Sequence, residues 1–311
     1  MRRGRRLSGW RRQAVWFAGI ATVVLGSGVL HNLVAQRDLS DVKIRTEHVA
    51  GNVHVFFGAG GNIGVSAGPD GLIMIDDQFS QLADKIKTAL KSLNSGDLAF
   101  VLNTHYHGDH TGSNETFGRE APIIAQTNVR KRLSDPDNPP LGSDRPMGAS
   151  GLPVVTFDQS LALHFNGEEI QVVHFPTAHT DGDSVIFFTK SNVVHMGDTF
   201  FAGRFPFVDL DGGGDVAGLT RDIRKILERL PEDVKIIPGH GPVSTKDDLR
   251  AYLEMLVGTT AIVDGKMKAG KTLDEIKAEG LPEKWDEWGS GFIKTDRWLE
   301  TVQKSLIRAN G

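Results

Sequence analysis

From about residue 41, apolar and polar positions alternate in short bursts. "VHVFF" (53–57), "IGVSA" (63–67) and "LIMID" (72–76) are separated by the turn-forming stretches "GAGGN" and "GPDG", which predicts an antiparallel meander. In "QLADKIKTALKSL" the period lengthens. Leu82, Ile86, Leu90 and Leu93 share one face there, which predicts an amphipathic helix. "LAFVL" (98–102) reads as a short buried strand. "LALHF" and "EIQVVHF" pair about "NGE", and "VIFFT" (185–189) pairs with "NVVHM" (192–196) about "KSN". "LTRDIRKILERL" turns Leu219, Ile223, Ile226, Leu227 and Leu230 inward, and "VKIIP" (234–238) is a last strand. "TKDD" and "TLDE" are capping boxes for helices beginning near Thr245 and Thr272, and "DRWLETVQKSLIRA" is helical as well.

Strands and helices therefore fall in two similar halves. That order predicts an α+β fold, with two sheets packed face to face and helices outside, a four-layer αββα sandwich. Residues 133–152, rich in Pro, Gly, Ser and Asp without periodicity, are expected to form a long loop near the substrate.

The N-terminus stands apart. Six of the 35 basic residues and no acid lie in residues 1–35, where an arginine-rich start precedes the apolar run "AVWFAGIATVVLGSGVL". This reads as an export signal or an N-terminal anchor, placing the protein in the periplasm or at the inner membrane. Residues 36–311 are expected to be one domain, with a helical extension from about residue 245. That body carries 29 basic against 39 acidic residues, which argues against nucleic acid as a partner. Membrane contact is expected only if the N-terminal segment stays attached. The chain has no cysteine, so a metal site would have to use His and carboxylate.

Such a site is offered by "NTHYHGDHTG" (103–112), which packs His105, His107, Asp109 and His110 into six positions behind a strand. A solvated loop would more usually hold Asn, Ser or Gly, so metal binding is the better reading. His105 and His107 alternate, while Asp109 and His110 are adjacent and can diverge toward a second centre. Partners stand at other strand ends: His179 in "PTAHTDGDS", Asp198 in "HMGDTFF" and His240 in "PGHGP". His110 is expected at a loop rim. His164, His174 and His195 read as structural, Asp181 and Asp183 as turn residues, and Trp285 and Trp288 as fasteners of the C-terminal helices.

The order H-x-H-x-D-H, then His, then Asp, then G-H-G resembles the metallo-β-lactamase superfamily, as does "GAGGNIGVSAGPDGLIMID" (58–76). The resemblance implies the αββα fold with two metals at one edge. His105, His107 and His179 would hold the first, Asp109, His110 and His240 the second, and Asp198 would bridge them. His107 stands where the family's di-iron oxygen reductases have Glu, so zinc is favoured. Asp198 replaces the cysteine or serine of many β-lactamases, and Phe201 stands where those with the cysteine carry a substrate-gripping lysine. "GDTFF" instead resembles the thioesterase and lactonase branches.

The expected function is a binuclear Zn²⁺ hydrolase of a small molecule with an activated ester, thioester, lactone or amide carbonyl. Two zinc ions would supply a hydroxide nucleophile near neutral pH, with Asp109 as the catalytic residue that orients it. A β-lactamase and a persulfide dioxygenase-like enzyme with one iron are the alternatives.

Overall fold

The computed structural model describes residues 38–139, 143 and 145–310. The segment expected to direct export, residues 1–35, lies outside them. Among the described residues no helix is long and apolar enough to cross a membrane.

Two sheets form the centre of the fold. The first has seven strands in sequence order: β1 (Arg45–Ala50), β2 (Val53–Phe57), β3 (Ile63–Gly68), β4 (Gly71–Ile75), β5 (Leu98–Leu102), β6 (Ile123–Gln126) and β7 (Val155–Phe157). β1 to β4 are antiparallel and β4 to β7 parallel. The second sheet has five strands in the order β12 (Lys235–Ile237), β11 (Val193–His195), β10 (Ser184–Phe188), β9 (Glu168–His174), β8 (Ser160–Phe165).

Strand alternation decides which layer each side chain enters. On β4, Ile73 and Ile75 face the second sheet, where they meet Val172, Ile186 and Phe188. Leu72 and Met74 face the other way, onto Leu82, Ile86 and Leu90 of the helical segment that ends in α1 (Ala83–Leu93). On β10 the same rule sends Ile186 and Phe188 inward, and Val185 and Phe187 outward to a helical layer. The result is helix, sheet, sheet, helix, the four layers expected from the sequence.

Short helices follow β5 and β6: α2 (Gly108–Thr111), α3 (Asn114–Phe117) and α4 (Thr127–Leu133). The outer layer on the second sheet is α5 (Val216–Arg229), α6 (Lys246–Lys268), α7 (Leu273–Glu279) and α8 (Thr295–Asn310). Thr245 and Thr272 close true capping boxes with Asp248 and Glu275. Leu249, Tyr252, Leu256 and Trp298 share one core with Ile223 and Ile226 of α5, so the helices beyond 245 are built into the second sheet's cover.

The long loop is shorter than expected. α4 takes its first residue, Leu133, and a 3-10 turn takes Ala149–Gly151. The backbone N–H of Met147 donates to Leu133 O at 2.7 Å, bringing the loop ends together.

Trp285 is 4% exposed and lies against α6 at Gly258, where an added Cβ would stand 2.9 Å from the indole. Trp285→Ala is therefore expected to cost roughly 3–5 kcal/mol while metal content holds, as read by urea unfolding and metal analysis. An unchanged unfolding midpoint would show that the C-terminal helices do not depend on this ring.

Candidate metal centre

β5, β9, β11 and β12 all deliver the chain to the same edge of the sandwich. After β5 the chain bends through Thr104–Tyr106, His107 stands at the N-cap position of α2, and α2 itself carries Asp109 and His110. His179 lies in the turn between β9 and β10, Asp198 in the 3-10 turn after β11, and His240 just after β12. Seven side chains from four separate segments of the chain meet here in two groups. One is His105, His107, His179 and Asp198; the other is Asp109, His110 and His240.

In the first group three ring nitrogens converge. His107 Nδ1 lies 3.1 Å from His105 Nε2 and 2.9 Å from His179 Nε2. The opposite nitrogens are already committed as donors. His105 Nδ1 gives its proton to Thr104 Oγ1, His107 Nε2 to Asp209 Oδ2 and His179 Nδ1 to the Phe207 carbonyl. These tautomers follow from the partners, since a carboxylate or carbonyl can only accept and the Thr104 hydroxyl has given its own proton to Asp76. Three lone pairs are thus left facing one another. Tetrahedral zinc, with Zn–N of about 2.0–2.1 Å, wants its nitrogens about 3.3 Å apart, so the trio fits such an ion.

The second group is arranged around Asp198 Oδ1. That oxygen lies 3.0 Å from His110 Nε2 and 3.3 Å from His240 Nε2, and His240 Nε2 lies 3.2 Å from Asp109 Oδ2. His110 Nε2 and Asp198 Oδ1 are both buried without a hydrogen-bond partner. Orphaned buried acceptors are costly, and a cation between them removes the cost. Asp198 Oδ2 points instead to the first group, 3.5 Å from His179 Nε2 and 3.9 Å from His105 Nε2. Gly239 lets this happen, because a Cβ there would stand 2.0 Å from Asp198 Oδ1.

Electrostatics divide the groups in the same way. Burial pushes His179 down to about 4 and His105 well below the usual imidazole range, so both offer neutral lone pairs. Burial also opposes charge on His110 and His240. There the neighbouring carboxylates outweigh it, raising His240 to about 9 and His110 well above its ordinary value. Burial works against the Asp109 carboxylate, but His110 and His240 outweigh it and lower its pKa to about 2. The second position therefore favours positive charge and the first favours uncharged nitrogen donors.

One expectation fails. His110 is fully buried, not at a loop rim, because its Nδ1 donates to Asp76 Oδ2 at 2.7 Å beneath the site. Asp76 is a residue the sequence reading passed over. It also accepts from the Thr104 backbone N–H and from Thr104 Oγ1, each at 2.7 Å, and so steadies His105 through that hydroxyl. One carboxylate thus orients a histidine of each group. Its signal in the sequence was faint, a lone aspartate just past an apolar strand; in the structure its φ is 62°.

Other residues take the roles expected or plain ones. His195 is buried with Nε2 on the Asn62 carbonyl, and His174 meets the Asp183 carbonyl. Asp183 holds the turn by accepting from the His179 and Thr180 N–H groups, while Asp181 pairs with Arg132. Phe201 stacks on His240, with ring centres 5.1 Å apart.

A family model described as the Metallo-beta-lactamase superfamily matches residues 58–240, a span that contains all seven of these residues. The chain belongs to that superfamily and is a metallo-hydrolase by class. Among curated relatives, the probable metallo-hydrolase YqgX of Bacillus subtilis is 30% identical over 179 residues, 54% of this chain and 82% of that protein. Hydroxyacylglutathione hydrolase of Shewanella baltica is 32% identical over 144 residues, 46% of this chain and 48% of its own length, so the likeness spans about half of that enzyme. A solved metallo-beta-lactamase from Pontibacter korlensis shares the fold, with a TM-score of 0.58, 16% identity, and coverage of 69% of this chain and 99% of its own.

Proposed function

We propose that this protein is a binuclear zinc hydrolase that opens thioesters, and related activated esters or lactones, of small carboxylic acids. The observation that carries the reading is Asp198, which offers one oxygen to each histidine group. When bound, a pair of zinc ions would acidify a water and polarise the scissile carbonyl. The chain's own residues account for the rest. Asp109 is the carboxylate an incoming water meets, being 28% exposed where Asp198 is 5%. It is held ionised and can accept a hydrogen bond from that water, which orients it for attack. Phe201 and Phe207 stand beside His179 and keep that side of the site apolar.

The water oxygen adds to the acyl carbon, the carbon–sulfur or carbon–oxygen bond breaks, and the leaving group carries off a proton. The hydroxyacylglutathione hydrolase likeness supports the thioester preference. Phe201 gives no positive charge for a β-lactam carboxylate, which speaks against that substrate. A single-iron reading would leave Asp109, His110 and His240 without a task.

The test is metal analysis followed by a substrate panel. Reconstituted protein is expected to hold close to two zinc ions per chain and to turn over thioester or lactone substrates in preference to nitrocefin. A single tightly held iron, or nitrocefin as the best substrate, would overturn the proposal.

A further inference from the structure

His107 differs from the other two nitrogen donors of its group: it presents Nδ1, whereas His105 and His179 present Nε2. Nothing in the motif dictates this. An imidazole can flip and offer its other nitrogen, so something must fix the ring. The group that meets its far side is Asp209, in the glycine-rich stretch "DLDGGGD".

Three donors surround this carboxylate. His107 Nε2 donates to Oδ2 at 2.9 Å, the Tyr106 hydroxyl donates to the same oxygen, and the Gly212 N–H donates to Oδ1 at 2.9 Å. The backbone is shaped to allow it. A Cβ on Gly212 would stand 2.3 Å from Asp209 Oδ2 and 2.5 Å from the Tyr106 hydroxyl, so a side chain there would force the pair apart. Tyr106 is itself held, being 8% exposed with the Arg132 guanidinium 5.1 Å from its ring centre. Arg132 is in turn paired with Asp181, two residues after His179.

The geometry points to Asp209, supported by Tyr106, as a positioning pair that locks His107 in the one tautomer and ring orientation able to ligate the first metal through Nδ1. Asp209 touches neither substrate nor metal and acts only through His107. An amide cannot replace it. Its single oxygen serves either Gly212 or the His107–Tyr106 side, and its NH₂ then meets an N–H or O–H donor on the other.

The inference rests on a metal centre at this edge but not on which substrate is cleaved, so its test uses no substrate. Metal-free wild type, Asp209→Asn and Tyr106→Phe are titrated with Co²⁺ against a competing chelator, with the visible cobalt bands recorded alongside thermal melting. For Asp209→Asn, first-site affinity is expected to fall by about 10–100-fold with altered bands, while the second site is nearly unchanged. Tyr106→Phe leaves the His107–Asp209 bond in place and is expected to lose only a few-fold at the same site. Wild-type affinity and superimposable bands in Asp209→Asn would overturn the assignment. Equal weakening of both sites with a lowered melting point would overturn it too, by giving Asp209 only the task of shaping its loop. Selective first-site loss in a protein that cleaves no substrate of the panel would leave this inference standing and remove the proposed function.

Discussion

Asp198→Ala is expected to empty the site of bound metal and lower hydrolysis by roughly 10³-fold or more, a loss at the upper end of that for one electrostatic stabiliser. Asp198 directs one carboxylate oxygen toward each group. Its Oδ1 lies 3.0 Å from His110 Nε2 and its Oδ2 3.5 Å from His179 Nε2. Alanine there removes one ligand from each group and also the negative charge that opposes two like-charged ions. The fold should persist, because the 3-10 turn at Gly197–Thr199 is held by backbone contacts of Gly197, Thr199 and Gly239 that the substitution leaves intact. Metal content after reconstitution and turnover of the best panel substrate are the measurements. An alanine variant that keeps two metals and near-normal turnover would refute the bridging role.

Asp76→Ala should act through stability first. Removing this carboxylate strands the Thr104 N–H and the His110 Nδ1–H in a buried setting, at about 1–3 kcal/mol each. Alanine must also adopt the left-handed backbone that Asp76 holds at φ 62°, a further cost of about 1 kcal/mol. A total of roughly 3–7 kcal/mol is a large part of a typical domain's stability. Both metals should weaken together, since the same carboxylate steadies His105 and His110. Asp76→Asn tolerates the backbone and keeps one acceptor, so it should recover part of the loss. Urea unfolding with metal analysis decides the matter. An alanine variant as stable as wild type, with both metals held, would show that the carboxylate is dispensable.

How far the sequence could be read depended on where the constraint lay. Glycine turns and short apolar runs marked β2 to β5, because these strands are largely enclosed between layers, β4 at every position. β1, with the sequence "RTEHVA", shows no such signal, since it lies at a sheet edge and is largely exposed. β7 is three residues long and exposes Val155, so periodicity had nothing to grip. At the candidate metal centre the converging side chains were legible because clustered imidazoles are uncommon. Asp76 and Asp209 were not. A single aspartate beside a turn is ordinary in any chain, and only the fold reveals that each one receives a histidine proton. The three glycines at 212–214 were the available hint that backbone crowds closely around something there.

The proposed ligands are drawn from both sheets: His105, His107, Asp109 and His110 follow a strand of the first, and His179, Asp198 and His240 follow strands of the second. Any ion shared across that seam binds the assembled sandwich and not its separated halves. Its binding free energy is therefore added to the cohesion of the protein, about 4 kcal/mol when free metal exceeds the dissociation constant a thousandfold. If the proposed metals bind, the folded population would follow metal supply. A chain made under metal starvation would then spend more time open to proteases, so scarcity would reduce the amount of protein as well as the activity of each copy.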